Sequence, residues 1–397
     1  MWNKNKTLKV ATVFSGIGAP EFALRRLGVK HDVIFACDNG DTKLDLLTPN
    51  ERLALDGIDS SKDRDKKASE MQSAHVEALW QQIKSLKSKE EKKQLVDSLY
   101  ASKCRQTNFV YKSYCANYGI EDPDFHQNVQ LLDGSDYHGQ VDLFIGGSPC
   151  QSFTLLGEQK GLEETRGTLF YDFARLVGEI QPKAFIYENV KGLVTHDKGK
   201  TWEVVQRVFA SLNYKIHFQV LNAEDFGIPQ TRRRIFVIGF REGGENFKFP
   251  QPQKLKFTMQ DFLLENTKDG NVVSQNGDIL VTHEKGVVNK KYYLSARVLP
   301  GILSEGTGSF KMKPEIDLKI ARPLMRTMHK LHRAGEDNYV TTNGKVRRLA
   351  PRECLRLMGF TDDFKIAVSD TQMLMQAGNS MVVDVMMKLI DGILNEL

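Results

Sequence analysis

The sequence predicts an α/β protein with a mostly parallel sheet, helices on both faces of that sheet, and a smaller irregular domain. Two observations lead to this fold class. Through the first 240 residues, short β-rich apolar runs alternate with amphipathic stretches, which is typical of βαβ units. Residues 246–346 break this rhythm, because Gly, Asn, Pro and Lys recur there without a period. We therefore expect one large layered domain followed by a loop-rich one.

The predicted strands are short apolar runs that end at turn residues. They are Leu8–Val13, Asp32–Cys37, Val141–Ile145, Ala184–Tyr187, Tyr214–Leu221 and Ile235–Phe240. The predicted helices have apolar residues at helical spacing. They are Glu21–Leu27, Thr168–Ile180, Thr201–Leu212 and the C-terminal stretch Met381–Leu397. We predict a first domain at 1–243, a second at 244–350, a hinge at 351–372 and a returning helix within 373–397.

A charged stretch interrupts the first domain at about residues 48–105. From Glu51 to Arg105, 22 of 55 residues are charged, and two apolar stripes run through them at helical spacing. This pattern predicts two helices inserted at the rim of the sheet. A solvated helical excursion is the favoured interpretation, and a partner-binding arm is the alternative.

The composition argues against several classes of protein and favours one class of binding partner. The five cysteines are scattered without C-x-x-C spacing, which argues against a disulfide framework and a zinc site and fits a reducing cytoplasm. No apolar run is long enough to predict a membrane span or a secretion signal. The net charge is +5, and residues 246–346 carry 16 Lys and Arg against 10 Asp and Glu. This excess favours a polyanion-facing second domain.

Two turns at strand ends predict ligand contacts. The first strand is followed by Phe14-Ser15-Gly16-Ile17-Gly18, where glycines permit close approach of a ligand to the backbone and to the next helix. The second strand ends at Asp38, a carboxylate placed to bind ribose hydroxyls. The three-glycine dinucleotide fingerprint and the Walker lysine are both absent from this turn. The alternative is a tight turn followed by an exposed aspartate.

Three later motifs converge on the same edge. Pro149-Cys150-Gln151 follows one strand, and Glu188 ends the next. Arg232 and Arg234 precede the strand Ile235–Phe240, so they reach this edge only if that strand runs antiparallel. An exposed cysteine in a polar loop can act as a nucleophile.

These motifs together resemble those of the DNA (cytosine-5)-methyltransferases, of the bacterial and phage restriction-modification type. Six ordered stretches match this family's motifs. They are Phe14–Gly18, Gly146–Phe153, Glu188–Val190, Gln230–Arg234, Arg347–Phe360 and Gln376–Ser380. The resemblance implies the Rossmann-like fold of S-adenosylmethionine-dependent methyltransferases, with residues 244–350 as the target-recognition domain.

The resemblance also implies roles for residues. Cys150 would attack C6 of a flipped cytosine, Glu188 would contact N3 and the exocyclic amine, and Arg232 and Arg234 would hold the nucleotide. S-adenosylmethionine would bind a group of residues from both ends of the chain. They are Phe14, Ser15, Gly16, Gly18, Asp38, Asn128, Asn379 and Ser380. Asn128 stands where the family often has an aspartate that binds adenine, and an amide can also hydrogen-bond that ring. The insertion at 48–105 is unlike the compact bacterial members.

The implied partner is double-stranded DNA. The candidate DNA contacts are Gln151, Arg166, Arg326 and Lys330, although phosphate contact or plain surface is an equal alternative for the basic ones. A transfer RNA substrate is the nearest rival, then a silent DNA-binding regulator, then a cysteine hydrolase. We expect a monomer in the cytoplasm, associated with the nucleoid when bound to DNA, and a restriction endonuclease acting separately.

Overall fold

A seven-stranded sheet forms the centre of the computed structural model, which describes residues 6–120, 124–149, 169–264, 272–281, 286–307 and 310–397. The strands are β1 (Leu8–Val13), β2 (His31–Cys37), β3 (Phe125–His126), β4 (Leu143–Gly146), β5 (Ala184–Val190), β6 (Lys215–Asn222) and β7 (Arg233–Phe240). They lie in the order β3-β2-β1-β4-β5-β7-β6, and only β7 runs antiparallel to its neighbours β5 and β6. The strand order reverses between β1 and β4, which is where open α/β sheets bind ligands.

The described residues contain eleven α-helices, several of which cover the two faces of this sheet. They are α1 (Ala19–Arg26), α2 (Pro49–Asp56), α3 (Ser61–Ser85), α4 (Lys89–Lys103), α5 (Phe109–Tyr118), α6 (Leu169–Ile180), α7 (Lys200–Ser211), α8 (Leu299–Ile302), α9 (Pro351–Arg356), α10 (Asp370–Asn379) and α11 (Val383–Leu394). Within the described ranges, every helix is too short or too polar to cross a lipid bilayer.

Alternation along the strands divides the core into two layers. Val10 and Ile145 point to the layer that includes α1 and α11, whereas Ala11 and Phe144 point to the layer that includes α6 and α7. Successive side chains of a strand face opposite sides, so a strand covered on both faces is apolar at every position. The C-terminal helix α11 thus packs its apolar face on the sheet, as the sequence predicts.

The insertion contains three helices, α2, α3 and α4, of which the sequence predicts the last two. Pro49 begins α2 after a capping box between Thr48 and Glu51. Along α3 and α4, Trp80, Ile83 and their apolar neighbours are buried in a cluster that includes Leu131 of the main domain. The apolar stripes of the two predicted helices therefore pack against the main domain, as expected of an insertion at the rim of the sheet.

Residues 244–350 contain paired short strands joined by irregular segments. The pairs are β8 (Val272–Gln275) with β9 (Asp278–Val281), β10 (Gly306–Thr307) with β11 (Phe310–Lys311), and β12 (Tyr339–Thr342) with β13 (Lys345–Arg348). A buried ion pair, Arg347 to Glu353 at 2.8 Å, joins β13 to α9. Arg26 on α1 donates to the carbonyl oxygens of Gly277 and Gly359, so this segment is attached to the main domain.

Candidate active site

A cavity of about 910 Å³ opens at the carboxyl ends of β1, β2, β4 and β5. Its wall includes the predicted residues Phe14, Gly16, Asp38, Asn128, Glu188, Arg232, Arg234, Arg326 and Asn379. Residues separated by more than 350 positions in the sequence therefore share one space. The crossover of the sheet explains this, because it leaves a crevice between the loops of diverging strands.

The turn after β1 is held in an unusual backbone conformation. Phe14 has φ of +53° and Gly18 has φ of +74°, both in the left-handed region. A side chain at Gly18 would also overlap the ring of Tyr118, whose hydroxyl donates to the carbonyl oxygens of Ile17 and Gly18 at 3.0 and 2.6 Å. The Ser15 hydroxyl accepts from the backbone N–H of Cys37 at 3.0 Å. These contacts fix the turn to the end of β2.

Asp38 connects two loops of the cavity wall. Its carboxylate accepts one hydrogen bond from the backbone N–H of Gly16 and another from that of Gly40, each at 2.8 Å. Burial raises the pKa of this carboxyl, and the two N–H donors oppose that shift. The aspartate is therefore part of the wall and not an exposed side chain after a tight turn.

Asn128 lines the same cavity as the first turn. It follows β3, and its side-chain oxygen accepts from the backbone N–H of Gln130 at 2.9 Å, which caps the short turn Val129–Leu131. At the other end of the chain, Asn379 ends α10 and lines the cavity, while Ser380 directly after it is buried.

Glu188 and Arg234 form an ion pair on neighbouring antiparallel strands. Arg234 Nε lies 3.0 Å from a carboxylate oxygen of Glu188, and both side chains are mostly buried. Val190 of β5 is the register partner of Arg234, which places the arginine at the same edge as the glutamate. The antiparallel direction of β7, on which the prediction for the arginines depends, is confirmed.

The end of β4 lies directly against this pair. A side chain at Gly147 would come within 2.8 Å of the Glu188 carbonyl oxygen and 3.0 Å of its carboxylate. Asn189 donates to the carbonyl oxygen of Ser148 at 2.9 Å, and the Ser148 hydroxyl hydrogen-bonds that of Tyr187 at 2.7 Å. The chain is thus fixed up to Pro149, which lines the cavity. Cys150, Gln151 and Arg166 lie outside the described residues.

Arg232 is more deeply buried than Arg234. Its guanidinium donates to three carbonyl oxygens, those of Leu324, Gly378 and Ser380, at 2.8 to 3.0 Å. Burial lowers its pKa to about 9, with the charge of Arg234 acting in the same direction. These contacts connect β7 to the turn after α10 and to residues 244–350.

Arg326 and Lys330 lie at the two ends of one short turn, and Arg326 lines the cavity. Arg326 is exposed and forms an ion pair with Asp41 at 3.0 Å, so it bridges towards the loop after β2. Lys330 is exposed at the other end of the turn. Both are accessible to a bound polyanion, although Arg326 would have to exchange Asp41 for a phosphate.

Comparison with known proteins decides the family. Residues 85–395 match the family described as C-5 cytosine-specific DNA methylase. The chain belongs to this family. Type II methyltransferase M.HhaI of Haemophilus parahaemolyticus is 37% identical over 252 residues, which cover 62% of this chain and 73% of that protein. M.NgoBI of Neisseria gonorrhoeae is 37% identical over 291 residues, covering 70% and 80%.

Solved structures show the same fold for this methylase. The S. pombe Dnmt2 methyltransferase superposes with a TM-score of 0.61 at 17% identity, over 98% of both chains. The Entamoeba histolytica methyltransferase EhMeth gives 0.62 at 15% identity, again over 98% of both chains. The predicted family, fold class and enzyme class, DNA cytosine-5 methyltransferase, are confirmed.

Sequence reasoning missed several residues that shape the methylase's cavity. Tyr118 braces the first turn from α5, and Asp41 pairs with Arg326. Arg175 on α6 donates to the carbonyl oxygens of Val129 and Leu132, which supports the loop of Asn128. No sequence signal identifies them, because each acts through a contact between distant elements. The sequence indicates that position 18 requires a glycine, but it does not indicate that Tyr118 is the side chain packed against it.

Proposed function

We propose that this methylase transfers a methyl group from S-adenosylmethionine to C5 of a cytosine within a specific double-stranded DNA sequence. In this proposal the cytosine is flipped out of the duplex and Cys150 adds to its C6 atom. One observation carries the proposal: the Glu188–Arg234 pair, at 3.0 Å, borders the same cavity as Asp38 and lies beside the end of β4, the strand that precedes Cys150 in the sequence. The cavity thus brings a polar pair for the base and a carboxylate for the cofactor into one space.

The residues present fit S-adenosylmethionine. Asp38 offers carboxylate oxygens for ribose hydroxyls, Asn128 an amide for adenine, and the Phe14 ring an apolar face, all on one cavity wall. A side chain at Gly16 would meet only the Phe14 carbonyl oxygen at 4.0 Å, so this turn leaves space for a ligand. Asn379 and Ser380 would complete the pocket. When bound, the cofactor supplies an electrophilic methyl group.

Glu188 and Arg234 would act on the flipped base. Addition of a thiolate at C6 places electron density on the ring, towards N3 and C5, and a positioned carboxyl group at N3 stabilises that charge. The ion pair with Arg234 orients the Glu188 carboxyl before the base arrives. Base flipping costs a few kcal/mol, which contacts in the pocket must offset.

We assign Arg232 a positioning role within the same proposal. Because its guanidinium donates to the carbonyl oxygens of Gly378 and Ser380, it supports the turn that carries Asn379. Its effect on the nucleotide would then pass through Arg234, which lies two residues further along the chain, on β7. Residues 244–350 would read the DNA sequence, with Gln151, Arg166, Arg326 and Lys330 as candidate contacts.

The test is covalent trapping on duplex DNA that contains 5-fluorocytosine. Fluorine at C5 blocks the final proton removal, so the enzyme should remain attached to DNA after denaturation when S-adenosylmethionine is present. Cys150→Ser should abolish the adduct, since a hydroxyl is a far poorer nucleophile near neutral pH. Cys115→Ser, on α5, is the matched control and should leave it intact.

Three outcomes would overturn parts of the proposal. An adduct that survives Cys150→Ser, or methylation without any adduct, would exclude the cysteine mechanism. Tritium transfer to transfer RNA in preference to duplex DNA would exclude the DNA substrate. Bisulfite sequencing of DNA from expressing cells would then give the target sequence, against which a separate restriction endonuclease could be sought.

A further inference from the structure

The insertion forms part of the wall of the cavity. Side chains of α3 and α4 line it together with Asp38 and Asn128. They are Ser69, Gln72, Ser73, Val76, Glu77, Trp80 and Tyr100. An excursion that only extended the surface would not reach the side of the cavity where the cofactor residues lie.

Gln72 on α3 holds the loop that follows β2. Its amide nitrogen donates to the carbonyl oxygen of Leu44 at 2.7 Å, and its amide oxygen accepts from the backbone N–H of Leu46 at 3.2 Å. Residues 42–48 form no regular helix or strand, so their backbone groups depend on such side-chain partners. The same loop begins at Asp38, whose backbone carbonyl accepts from Asn108 at 2.7 Å.

Trp80 on α3 and Tyr100 on α4 support the second loop of the cofactor side. The Arg175 guanidinium lies 4.5 Å from the centre of a Trp80 ring and donates to the carbonyl oxygens of Val129 and Leu132. The Tyr100 hydroxyl donates to the carbonyl oxygen of Gln127 at 3.2 Å, immediately before Asn128.

Lys92 adds an ionic contact between α4 and the same loop. Its ammonium group lies 2.9 Å from Asp133 and 2.6 Å from Asp136, and the lysine side chain is only 11% exposed. A lysine this buried is normally paired, and two carboxylates in reach make the contact specific. The insertion is therefore bonded to both loops that carry predicted adenosine contacts.

We propose that the insertion at residues 48–105 positions the loops of Asp38 and Asn128 and thereby sets the affinity for S-adenosylmethionine. This inference rests on the proposed cofactor. Gln72 is the positioning residue for the Asp38 loop, since it contacts two backbone groups of that loop. A partner-binding arm is disfavoured, because the apolar stripe that would meet a partner already packs against Leu131.

The test compares Gln72→Ala with Gln81→Ala on the same helix. Gln81 is exposed, and among the described residues its side chain bonds to Glu77 of the same helix and to neither loop of the cofactor side, so its loss should leave both loops in place. Calorimetry should show that Gln72→Ala weakens S-adenosylmethionine binding by about tenfold, as expected for two lost hydrogen bonds. The KM for S-adenosylmethionine should rise similarly, while kcat and the KM for DNA stay within about twofold.

Hydrogen exchange provides a readout without any ligand. In the cofactor-free protein, Gln72→Ala should speed exchange at the Leu46 amide, because that N–H loses its acceptor, whereas Gln81→Ala should not. Wild-type protein that binds no S-adenosylmethionine would exclude the proposed cofactor itself. Normal cofactor binding by Gln72→Ala, with the wild type binding well, would instead overturn the positioning role alone.

Discussion

The sheet edge and residues 244–350 face the same cavity but are built in different ways. At the sheet edge, Asp38 is placed by the end of β2 and a hydrogen bond from the backbone N–H of Gly16, and Glu188 by β5 and its ion pair with Arg234. In residues 244–350, short strand pairs are held by a few buried ion pairs, such as Arg347 to Glu353. A reaction common to every target suits the rigid edge, because reacting groups must be held within a fraction of an ångström. Loops held by a few anchors can change sequence without disturbing that edge.

The anchors of the irregular segment are few but well connected. Arg347 bonds both carboxylate oxygens of Glu353 and the hydroxyl of Thr342, and neither charged side chain is exposed. Arg356 on α9 pairs with Asp362 at 2.6 Å and donates to the carbonyl oxygen of Phe262. These contacts supply the order that regular structure supplies elsewhere.

The largest effect is expected at the sheet edge, from Glu188→Gln. The amide keeps the size of the side chain but loses the charge that pairs with Arg234 and the carboxyl that we propose acts at N3. We expect kcat to fall about 10²- to 10⁴-fold, the usual range for loss of a positioned acid or base. Single-turnover methylation of duplex DNA measures this.

The matched control is Glu203→Gln, at an exposed position on α7. It should leave kcat within about twofold. If Glu188→Gln retained normal turnover, the sheet edge would not carry the chemistry, and the contrast between the two regions would lose its functional meaning.

A second experiment tests the anchors of residues 244–350. Arg347→Met leaves Glu353 buried without its cationic partner, which should lower the free energy of unfolding by about 3 to 5 kcal/mol. Urea unfolding measures the change. Glu70→Gln, which breaks the exposed pair with Lys66 on α3, should have no measurable effect on stability.

The double variant Arg347→Met with Glu353→Gln sharpens this result. Removing both charges should recover part of the lost stability, because no unpaired charge remains buried. If Arg347→Met alone were neutral, the segment would be ordered by its apolar contacts and not by the ion pair.

The sheet edge and residues 244–350 also differ in how well their structure can be predicted from the sequence. The strand Leu8–Val13 is observed with the predicted bounds, and the other five predicted strands of the sheet begin and end within about three residues of the observed ones. Alternating or continuous apolar runs report burial on a sheet directly. The sequence places Glu188 at the sheet edge because its strand end is recognisable. It places Arg234 there on the condition that β7 runs antiparallel.

Contacts between residues that are far apart in the sequence produce no comparable pattern in the sequence. The pairing of Arg326 with Asp41 spans the cavity, and the burial of Trp80 depends on Leu131 and Arg175 of the main domain. The polar composition of the insertion indicates a solvent-exposed segment, although one apolar stripe along its helices is buried. The irregular segment offers no period at all, and for its strand pairs the sequence contains only two short strand-like pieces, Asn271–Val273 and Gly277–Val281, which lie near β8 and β9.

The stability of the protein should depend on pH through one histidine of the sheet, His126 on β3. Burial lowers the pKa of His126 from 6.5 to about 3, and the nearby Lys93 and Lys89 act in the same direction. The neutral ring hydrogen-bonds the Tyr137 hydroxyl at 2.7 Å. In the unfolded chain this histidine takes up a proton below pH 6.5, while the folded protein resists doing so down to about pH 3. Its contribution to stability is therefore present above pH 6.5 and is lost as the pH falls towards 3.

The expected loss is about 2 kcal/mol of unfolding free energy between pH 6.5 and 5, at 1.36 kcal/mol per pH unit. Urea unfolding at several pH values measures it, and His126→Gln should flatten the profile in this window. His138→Gln, at an exposed ring, is the control and should keep the wild-type slope. An unchanged profile in His126→Gln would mean that other groups cause the acid sensitivity.

The smallest effect is expected on the DNA-facing side, from neutralising Arg326 and Lys330 together. Each phosphate contact contributes about −0.9 to the log–log slope of DNA affinity against salt, so the double Gln variant should flatten the slope by up to about 1.8. Arg326 exchanges Asp41 for phosphate on binding, so its share should be less than that of a lysine without an anionic partner. The single variant Asp41→Asn should therefore strengthen DNA binding at low salt, by about twofold to fivefold, and this gain should vanish when Arg326 is also changed to Gln. Fluorescence anisotropy at three salt concentrations measures both effects. A slope that does not change in the double variant would remove this turn from the DNA-facing surface, and would leave residues 244–350 with contacts elsewhere.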